Sequence, residues 1–395
     1  MAQHPELRLQ PGRHKRLKAG HPWVYSNEVA EPKALKTLSP GALVTVVADS
    51  GERLGTACYS HRPLIAARLF TRRADAEIGV DFFADRMKRA LALRDRLFDA
   101  PFYRLVHAEA DGLPGLIVDR FGAALVLQLN IAGMEARRAA VLEAVDAVVA
   151  PDTVILRNDS PMRALEGLDS AVEVVRGDGD ARLPVTENGV AFFAAPGSGQ
   201  KTGWFFDQRE NRAFIAGLAR DRSVLDVYCY SGGFAVQAAV AGAADVLGID
   251  GSAAALDLAG QAARQNGVAE RCRFEKADAF AEMQRLADEK AIRDVVVVDP
   301  PSFVKSKKNL HAGLRGYRKM VRLAVPLVAP GGILFVASCS HNVSADAFAE
   351  QVARGLGDTG RQGRILRAAG AAPDHPVHPS LPETAYLKSL TLALD

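Results

Sequence analysis

The chain has 395 residues, 48% hydrophobic and 24% charged, which is a globular composition and more chain than one ordinary core accommodates. Net charge is only +3, and the four cysteines, at positions 58, 229, 272 and 339, show no paired or zinc-ligand spacing, so neither a disulfide framework nor a metal is expected. No apolar run reaches membrane-spanning length and the basic N-terminus lacks a signal peptide's apolar core, which predicts a cytoplasmic protein with no membrane partner.

Residues 1–75 read as a small β-rich module. Short strands are predicted at "ALVTVVAD", "RLGTACYS" and "IAARLFT", separated by turn residues. This segment holds twelve Lys/Arg against six Asp/Glu, and Arg13, Lys15, Arg16 and Lys18 lie beside the aromatics Trp23 and Tyr25. Basic runs are usually solvated faces. Here the interleaved aromatics favour a polyanion, because cations reward phosphate contacts and rings stack on bases.

Residues 76–190 form an α+β middle domain. The charged pattern from Asp81 to Phe98 has apolar residues at helical spacing, and "DGLPGLIVDRFGAALVLQLN" reads as a hairpin. A helix over roughly 133–149 and a strand "TVILRND" follow.

In residues 191–395, from about Asp221, strands and helices alternate: "SVLDVYCY", "DVLGID", "CRFEKAD", "DVVVVDPP", "GGILFVASCS" and "LKSLTLAL" are the apolar strands. Such alternation specifies a mostly parallel sheet covered on both faces, with ligands outside the carboxyl ends of its strands. Three of those ends carry chemistry. The first opens into Ser231-Gly232-Gly233, a glycine turn at a helix start; the second ends at Asp250, where a carboxylate can accept both hydroxyls of a ribose; the third ends at Asp278, placed for an adenine edge. Each acid is equally a helix N-cap by position, but three strand ends in register are less easily explained by caps.

This pattern resembles class I S-adenosylmethionine-dependent methyltransferases, with their Rossmann-like, seven-stranded, mostly parallel sheet. The resemblance implies that Asp226, Tyr228 and the Ser231-Gly232-Gly233 loop hold the methionine part, Asp250 the ribose and Asp278 the adenine. A nicotinamide enzyme is the competing reading, disfavoured because the third glycine of its fingerprint is missing.

The fourth strand ends in "VVVVDPPSF", where two prolines fix an extended exit and Asp299 becomes an acceptor or proton-bearing group for a base edge. Amino-group methyltransferases carry an aromatic directly after such a Pro-Pro pair; here Ser302 intervenes before Phe303. The next strand ends at Cys339, at the same rim. A cysteine there is more often core filler, yet beside a methyl donor it has a use: a thiolate adding to carbon 6 of a pyrimidine makes carbon 5 nucleophilic. Cys339 and Asp299 fill the nucleophile and acid roles; no base for the carbon 5 proton is evident.

"SGQKTGWFFDQRENR", "DGLPGLIVDRFG", "DPPSF" and "SCS" together resemble the bacterial family of 23S ribosomal RNA cytosine-C5 methyltransferases known as RlmI. That resemblance implies a PUA domain, which "LKAGHPWVYSNEV" fits, then an EEHEE-type domain and the methyltransferase domain. It implies Cys339 as covalent nucleophile and Gln200, Lys201 and Arg209 near cofactor or substrate. Without it, Asp207 reads as a helix N-cap and Arg209 as a surface charge.

The expected partner is RNA, 23S rRNA or an assembly intermediate, with a homodimer left open. An extruded cytosine enters between Asp299 and Cys339, while Lys305, Lys307, Lys308, Arg315 and Arg318, from a run with no acid, track the backbone. Three alternatives stand beside this. Base-nitrogen methylation needs only Asp299-Pro300-Pro301; a ribosome-assembly factor needs only RNA binding; a small-molecule methyltransferase leaves the basic N-terminus unused.

Overall fold

The computed structural model describes residues 3–35, 37–179, 182–197 and 202–395. The chain divides into two compact units, one of Met1–Leu183, Ala195–Trp204 and Asp374–Pro382, the other of Pro184–Ala194, Phe205–Pro373 and Glu383–Asp395.

The first unit holds two five-stranded sheets. In the N-terminal sheet Glu6–Arg8, Ala42–Val47, Arg53–Tyr59, Ile65–Thr71 and Trp23–Tyr25 are neighbours in that order. The three expected strands form its centre. The rim strands have three residues each, too few to show alternation in sequence. In the second sheet the order is Ala171–Arg176, Thr153–Asn158, Ala124–Leu129, Leu116–Phe121 and Phe102–His107. The expected hairpin pairs Leu116 with Leu129 through Phe121 with Ala124. Thr153–Asn158 runs parallel to Ala124–Leu129, and the helix expected at 133–149 is broken into Ala132–Glu135 and Arg138–Val148.

"DGLPGLIVDRFG" has a structural task in this unit. Arg94, on the helix Val80–Leu97 and wholly buried, grips Asp111 with two parallel bonds of 2.7 and 2.8 Å and donates to the carbonyl of Arg104 at 2.9 Å. Arg104 in turn holds buried Asp119 at 2.8 and 2.9 Å. The carboxylate of Asp374 accepts the Arg104 amide at 2.9 Å, and its carbonyl accepts from Arg94 at 3.0 Å. Each buried charge thus meets its opposite.

The second unit is built on one seven-stranded sheet: β1 (Ser223–Val227), β2 (Asp245–Asp250), β3 (Cys272–Lys276), β4 (Arg293–Val298), β5 (Val328–Ser338), β6 (Gly363–Ala369) and β7 (Lys388–Leu394). Their order is β3-β2-β1-β4-β5-β7-β6, parallel except that β7 runs antiparallel to both neighbours. The helices are α1 (Arg209–Gly217), α2 (Gly233–Val240), α3 (Ala253–Gln265), α4 (Ala279–Asp288), α5 (Leu310–Ala324) and α6 (Ala345–Gly357).

Alternate residues of the central strands feed two cores. Leu225, Val227, Val296, Val298 and Val336 pack with Met320, Val321 and Phe348 on one face. Val224, Val295, Val297 and Phe335 pack with Ile215, Phe234 and Ala238 on the other. Burial on both faces is why these strands read as continuous apolar runs. The edge strand β6 is largely exposed and escapes that signature. Among the described residues no helix is long and apolar enough to cross a membrane.

Asp111→Ala leaves the buried Arg94 guanidinium without its carboxylate. The expected cost is about 3–5 kcal/mol, read as a lowered urea midpoint of the unfolding transition that reports on the first unit; a loss under about 1 kcal/mol would remove the network's structural role.

Candidate functional site

The carboxyl ends of β1, β2 and β4 bring three acids into one electrostatic field. Asp226, one residue before the end of β1, is wholly buried. Its Oδ2 accepts the Ala235 amide of α2 at 3.0 Å, while its Oδ1 has no hydrogen-bond partner among the described residues. Burial pushes this carboxyl up to about 7; the Ala235 amide opposes the shift, Asp299 adds to it, Arg212 opposes and Asp250 adds. The buried Ser231 hydroxyl likewise has no hydrogen-bond partner among the described residues. Orphaned polar atoms are rare inside a protein, so both are open to a polar partner.

The loop from β1 to α2 is held in an uncommon shape. Tyr228 and Tyr230 both take positive φ, +66° and +50°, which costs about 1 kcal/mol or more each. Asp250 pins it, its Oδ2 accepting the Tyr230 amide at 2.9 Å and its Oδ1 the Ser252 amide at 2.8 Å. Burial, followed by the charges of Asp278 and Asp250, raises the Tyr228 hydroxyl to about 12, so this phenol sits with both acids. The glycines answer packing as much as ligand access. Gly232 has φ +80°, and a Cβ on Gly233 would stand 2.5 Å from Arg212 Nε. Asp278 is exposed and caps α4, its Oδ1 accepting the Ala281 amide at 2.9 Å. One oxygen therefore does the bland duty its position suggests.

Asp299 follows β4, and its Oδ2 accepts from Gln208 Nε2 at 2.8 Å. The buried Gln208 is itself fixed, its Oε1 accepting from Asn211 at 2.6 Å. The default expectations for its two neighbours are overturned. Asp207 is no helix cap: α1 starts after Gln208 without a side-chain cap, and Asp207 Oδ2 instead accepts the Tyr386 hydroxyl at 2.5 Å. Arg209 is no surface charge either. Only 9% exposed, its guanidinium lies 5.7 Å from the Phe206 ring centre. Buried Arg212 binds Glu187 at 2.7 Å and the Phe205 carbonyl at 2.9 Å, which anchors this turn. Gln200 and Lys201 lie outside the described residues.

Cys339 follows the last residue of β5, on the strand next to that of Asp299. Its flanking serines explain its pose. Ser338 Oγ donates to the Tyr317 hydroxyl at 2.8 Å, that oxygen lies 2.7 Å from Ser340 Oγ, and Ser340 Oγ lies 2.8 Å from Ser302 Oγ. The serine that departs from the amino-methyltransferase pattern thus ties the Asp-Pro-Pro exit to the cysteine turn. Phe303 packs on Tyr317, ring centres 4.8 Å apart, as part of the core's margin.

Two residues here were missed by sequence reasoning. Tyr386, besides holding Asp207, stacks on His341 at 5.0 Å. Lys388, the first residue of β7, is buried, pairs with Ser338 in register and donates to the carbonyls of Ser340 at 2.6 Å and Tyr386 at 2.8 Å. Burial pulls its ammonium down to about 8, with Cys339 acting in the opposite direction. A lysine opening an otherwise apolar strand was the available signal.

The basic residues divide into two groups. Lys305, Lys307, Lys308 and Arg315 are exposed and pair with no acid among the described residues, and the same is true of Arg13 and Lys15. Others are engaged internally: Arg318 with Asp358 at 2.7 Å, Arg16 with Glu28 at 2.7 Å, Lys18 with Glu52 at 2.5 Å. Trp23 donates to Glu109 at 2.8 Å under the Arg68 guanidinium, so its ring belongs to the first unit's own packing. That unit also opens a cavity of about 400 Å³ whose lining includes Arg72 and Arg86, neither ion-paired among the described residues. Among the described residues no cluster of His, Cys, Asp and Glu is arranged to hold a metal.

Comparison with known proteins bears on this geometry. A family model described as S-adenosylmethionine-dependent methyltransferase matches residues 157–390, and one for a PUA-like domain matches 7–72. Curated relatives named ribosomal RNA large subunit methyltransferase I are similar over nearly the whole length. The protein of Erwinia tasmaniensis is 39% identical over 389 residues, covering 97% of both chains. That of Shewanella frigidimarina is 37% identical over 390 residues, covering 97% of this chain and 98% of its own. Among solved structures, a chain from Streptococcus mutans assigned as a SAM-dependent methyltransferase superposes with a TM-score of 0.83 at 20% identity, covering 98% of this chain and 100% of that one. Another assigned methyltransferase, complexed with SAH, gives 0.85 at 19% identity with the same coverage. These two establish the shared fold.

The folded Asp226 carboxyl keeps its proton to about pH 7, whereas an unfolded one loses it near pH 4 (about 3.9). Its contribution to stability is therefore full below about pH 4 and is lost as the pH rises through about 7. Asp226→Asn should flatten this part of the pH profile in urea denaturation of the ligand-free protein; an unchanged profile would contradict the assignment.

Proposed function

Because the chain belongs to the S-adenosylmethionine-dependent methyltransferases, and among them to the family of the ribosomal RNA large subunit methyltransferases I, we propose that it methylates carbon 5 of a cytosine in 23S ribosomal RNA. The proposal gives residues 1–75 to RNA binding, 76–190 to the middle domain and 191–395 to catalysis.

The residues at the strand ends fit the methyl donor. S-adenosylmethionine carries an ammonium and a sulfonium, and the charges of Asp299 and Asp250 acting on Asp226 favour a cation there. Asp226 Oδ1 and Ser231 Oγ are the polar atoms left to be satisfied. In this reading Asp226, Tyr228, Ser231, Gly232 and Gly233 hold the amino-acid end, Asp250 the ribose and Asp278 the adenine, with Arg209 alongside. When bound, the cofactor supplies an electrophilic methyl group.

The chain's own residues do the rest. Cys339, as thiolate, adds to carbon 6 of the cytosine, and the displaced ring electrons make carbon 5 nucleophilic. Asp299, oriented by Gln208, hydrogen-bonds the N3 or amine edge and steadies the charge that develops there. After methylation the carbon 5 proton leaves to water, the carbon–sulfur electron pair returns to sulfur, and the ring regains its aromaticity. The observation that carries this reading is the serine bridge from Ser302 through Ser340 to Tyr317 and Ser338, which braces both sides of Cys339 against the Asp299 exit. A filler cysteine has no need of it. Phe303, turned against Tyr317, weighs against the amino-methylation alternative.

Exposed Arg13, Lys15, Lys305, Lys307, Lys308 and Arg315 are the cations offered to RNA phosphates. Converting Lys305, Lys307 and Lys308 to Ala should reduce the slope of log affinity against log salt by about one per residue, and an unchanged slope would remove them from the interface. Cys339→Ala should lower methyl transfer to rRNA more than about a thousandfold while calorimetric affinity for S-adenosylmethionine stays within about twofold. Nucleoside mass spectrometry showing undiminished product would overturn the carbon 5 mechanism and leave base-nitrogen methylation at Asp299.

A further inference from the structure

Lys388 is 8% exposed, and no carboxylate lies within ion-pairing reach of its Nζ among the described residues. Its partners are two neutral carbonyls, of Ser340 and Tyr386. Two carbonyls satisfy two of the three ammonium hydrogens but leave the charge uncompensated, and a buried charge without its opposite is costly. We propose that the missing opposite is the Cys339 thiolate, so that Lys388 is the residue that keeps the nucleophile ionised.

The geometry holds the two groups together from both sides of the cysteine. Ser338, one residue before it, faces Lys388 across the β5–β7 ladder, and Ser340, one residue after it, offers its carbonyl to Nζ. Both contacts hold Nζ against the backbone of the turn that carries the thiol. Electrostatic coupling between them is mutual, since Cys339 raises the proton affinity of Lys388 against the lowering effect of burial.

Among the described residues, the other groups named here on the surrounding elements do not supply this charge. Asp299 at the end of β4 is acidic and opposes a thiolate. Tyr317 of α5 is held neutral, its hydroxyl raised first by burial and bound to both serines. His341 stacks on Tyr386, and its Nδ1 lies 3.4 Å from the Glu383 carbonyl. The chemical step is an ionisation alone: the thiol gives its proton to solvent, and the thiolate left behind pairs with the standing Lys388 ammonium. The same ammonium stabilises the thiolate when the carbon–sulfur bond breaks. Lys388 acts through Cys339 and is a positioning residue in that sense.

This inference rests on Cys339 being the nucleophile, and its test is independent of methyl transfer. The rate of iodoacetamide alkylation at Cys339, followed by peptide mass spectrometry on the full chain, gives the pH at which the thiol ionises. Lys388→Gln, which keeps a donor for the two carbonyls but removes the charge, should move that midpoint up by at least about one pH unit, a tenfold loss of thiolate at fixed pH, while Lys388→Arg keeps it low. As a reciprocal measurement that leaves Lys388 intact, Cys339→Ser should move the NMR titration midpoint of the Lys388 side chain downward. An unchanged thiol midpoint in Lys388→Gln, or an unchanged lysine midpoint in Cys339→Ser, would overturn the pairing. If the midpoints move but Cys339→Ala keeps full activity, the pair stands and the carbon 5 reading fails; if they do not move and that variant is inactive, the reverse holds.

Discussion

Three acidic residues stand at the ends of adjacent strands, and the charges of Asp299 and Asp250 add to the burial that opposes ionisation of Asp226. Strands β1, β2 and β4 are buried on both faces, so their register is fixed by packing and their carboxyl ends have no freedom to separate. Among the described residues Arg212 eases Asp226, but Arg212 is also bound to buried Glu187. A cationic ligand relieves this tension, and the hydrophobic core supplies the rigidity that keeps the acids in place until it arrives. Preorganisation of this kind transfers folding energy into binding and catalysis.

The opposite half of the site depends on segments that return from far along the chain. The β5–β7 ladder sets Lys388 against the cysteine turn, and Tyr386, two residues earlier, takes Asp207 from the other side. Ser302 joins the Asp-Pro-Pro exit to Ser340. Cys339, Asp299 and their supports thus rest on the packed core of one sheet, which holds side-chain positions more tightly than loops do.

What the sequence disclosed follows from what physics writes locally. Continuous apolar runs such as those of β1 and β4 identify a doubly covered parallel sheet because both their faces are buried, and polar residues at the ends of such runs point to the ligand edge. Burial of Asp207, Gln208 and Arg209 is different in kind. Asp207 meets Tyr386 and Gln208 meets Asp299, both distant in sequence, and nothing within a few residues announces either contact. The role of Lys388 depends on a register between strands fifty residues apart, visible beforehand only as a lysine at odds with its apolar neighbours. Edge strand β6 and the short rim strands of the N-terminal sheet lacked pattern for the opposite reason, being exposed or brief. Basic residues misled most readily: a charge is visible in sequence, but the partners that neutralise Arg16, Lys18 and Arg318 are tertiary.

The proposed mechanism requires sulfur to bond to the ring before the methyl group moves. Incubation with S-adenosylmethionine and an RNA whose target base is 5-fluorocytosine stops the reaction at the covalent stage, because fluorine cannot leave as a cation in place of the carbon 5 proton. Peptide mass spectrometry of the trapped complex should find the nucleotide on Cys339; an absence of any adduct, with turnover on ordinary RNA under the same conditions, would contradict the account.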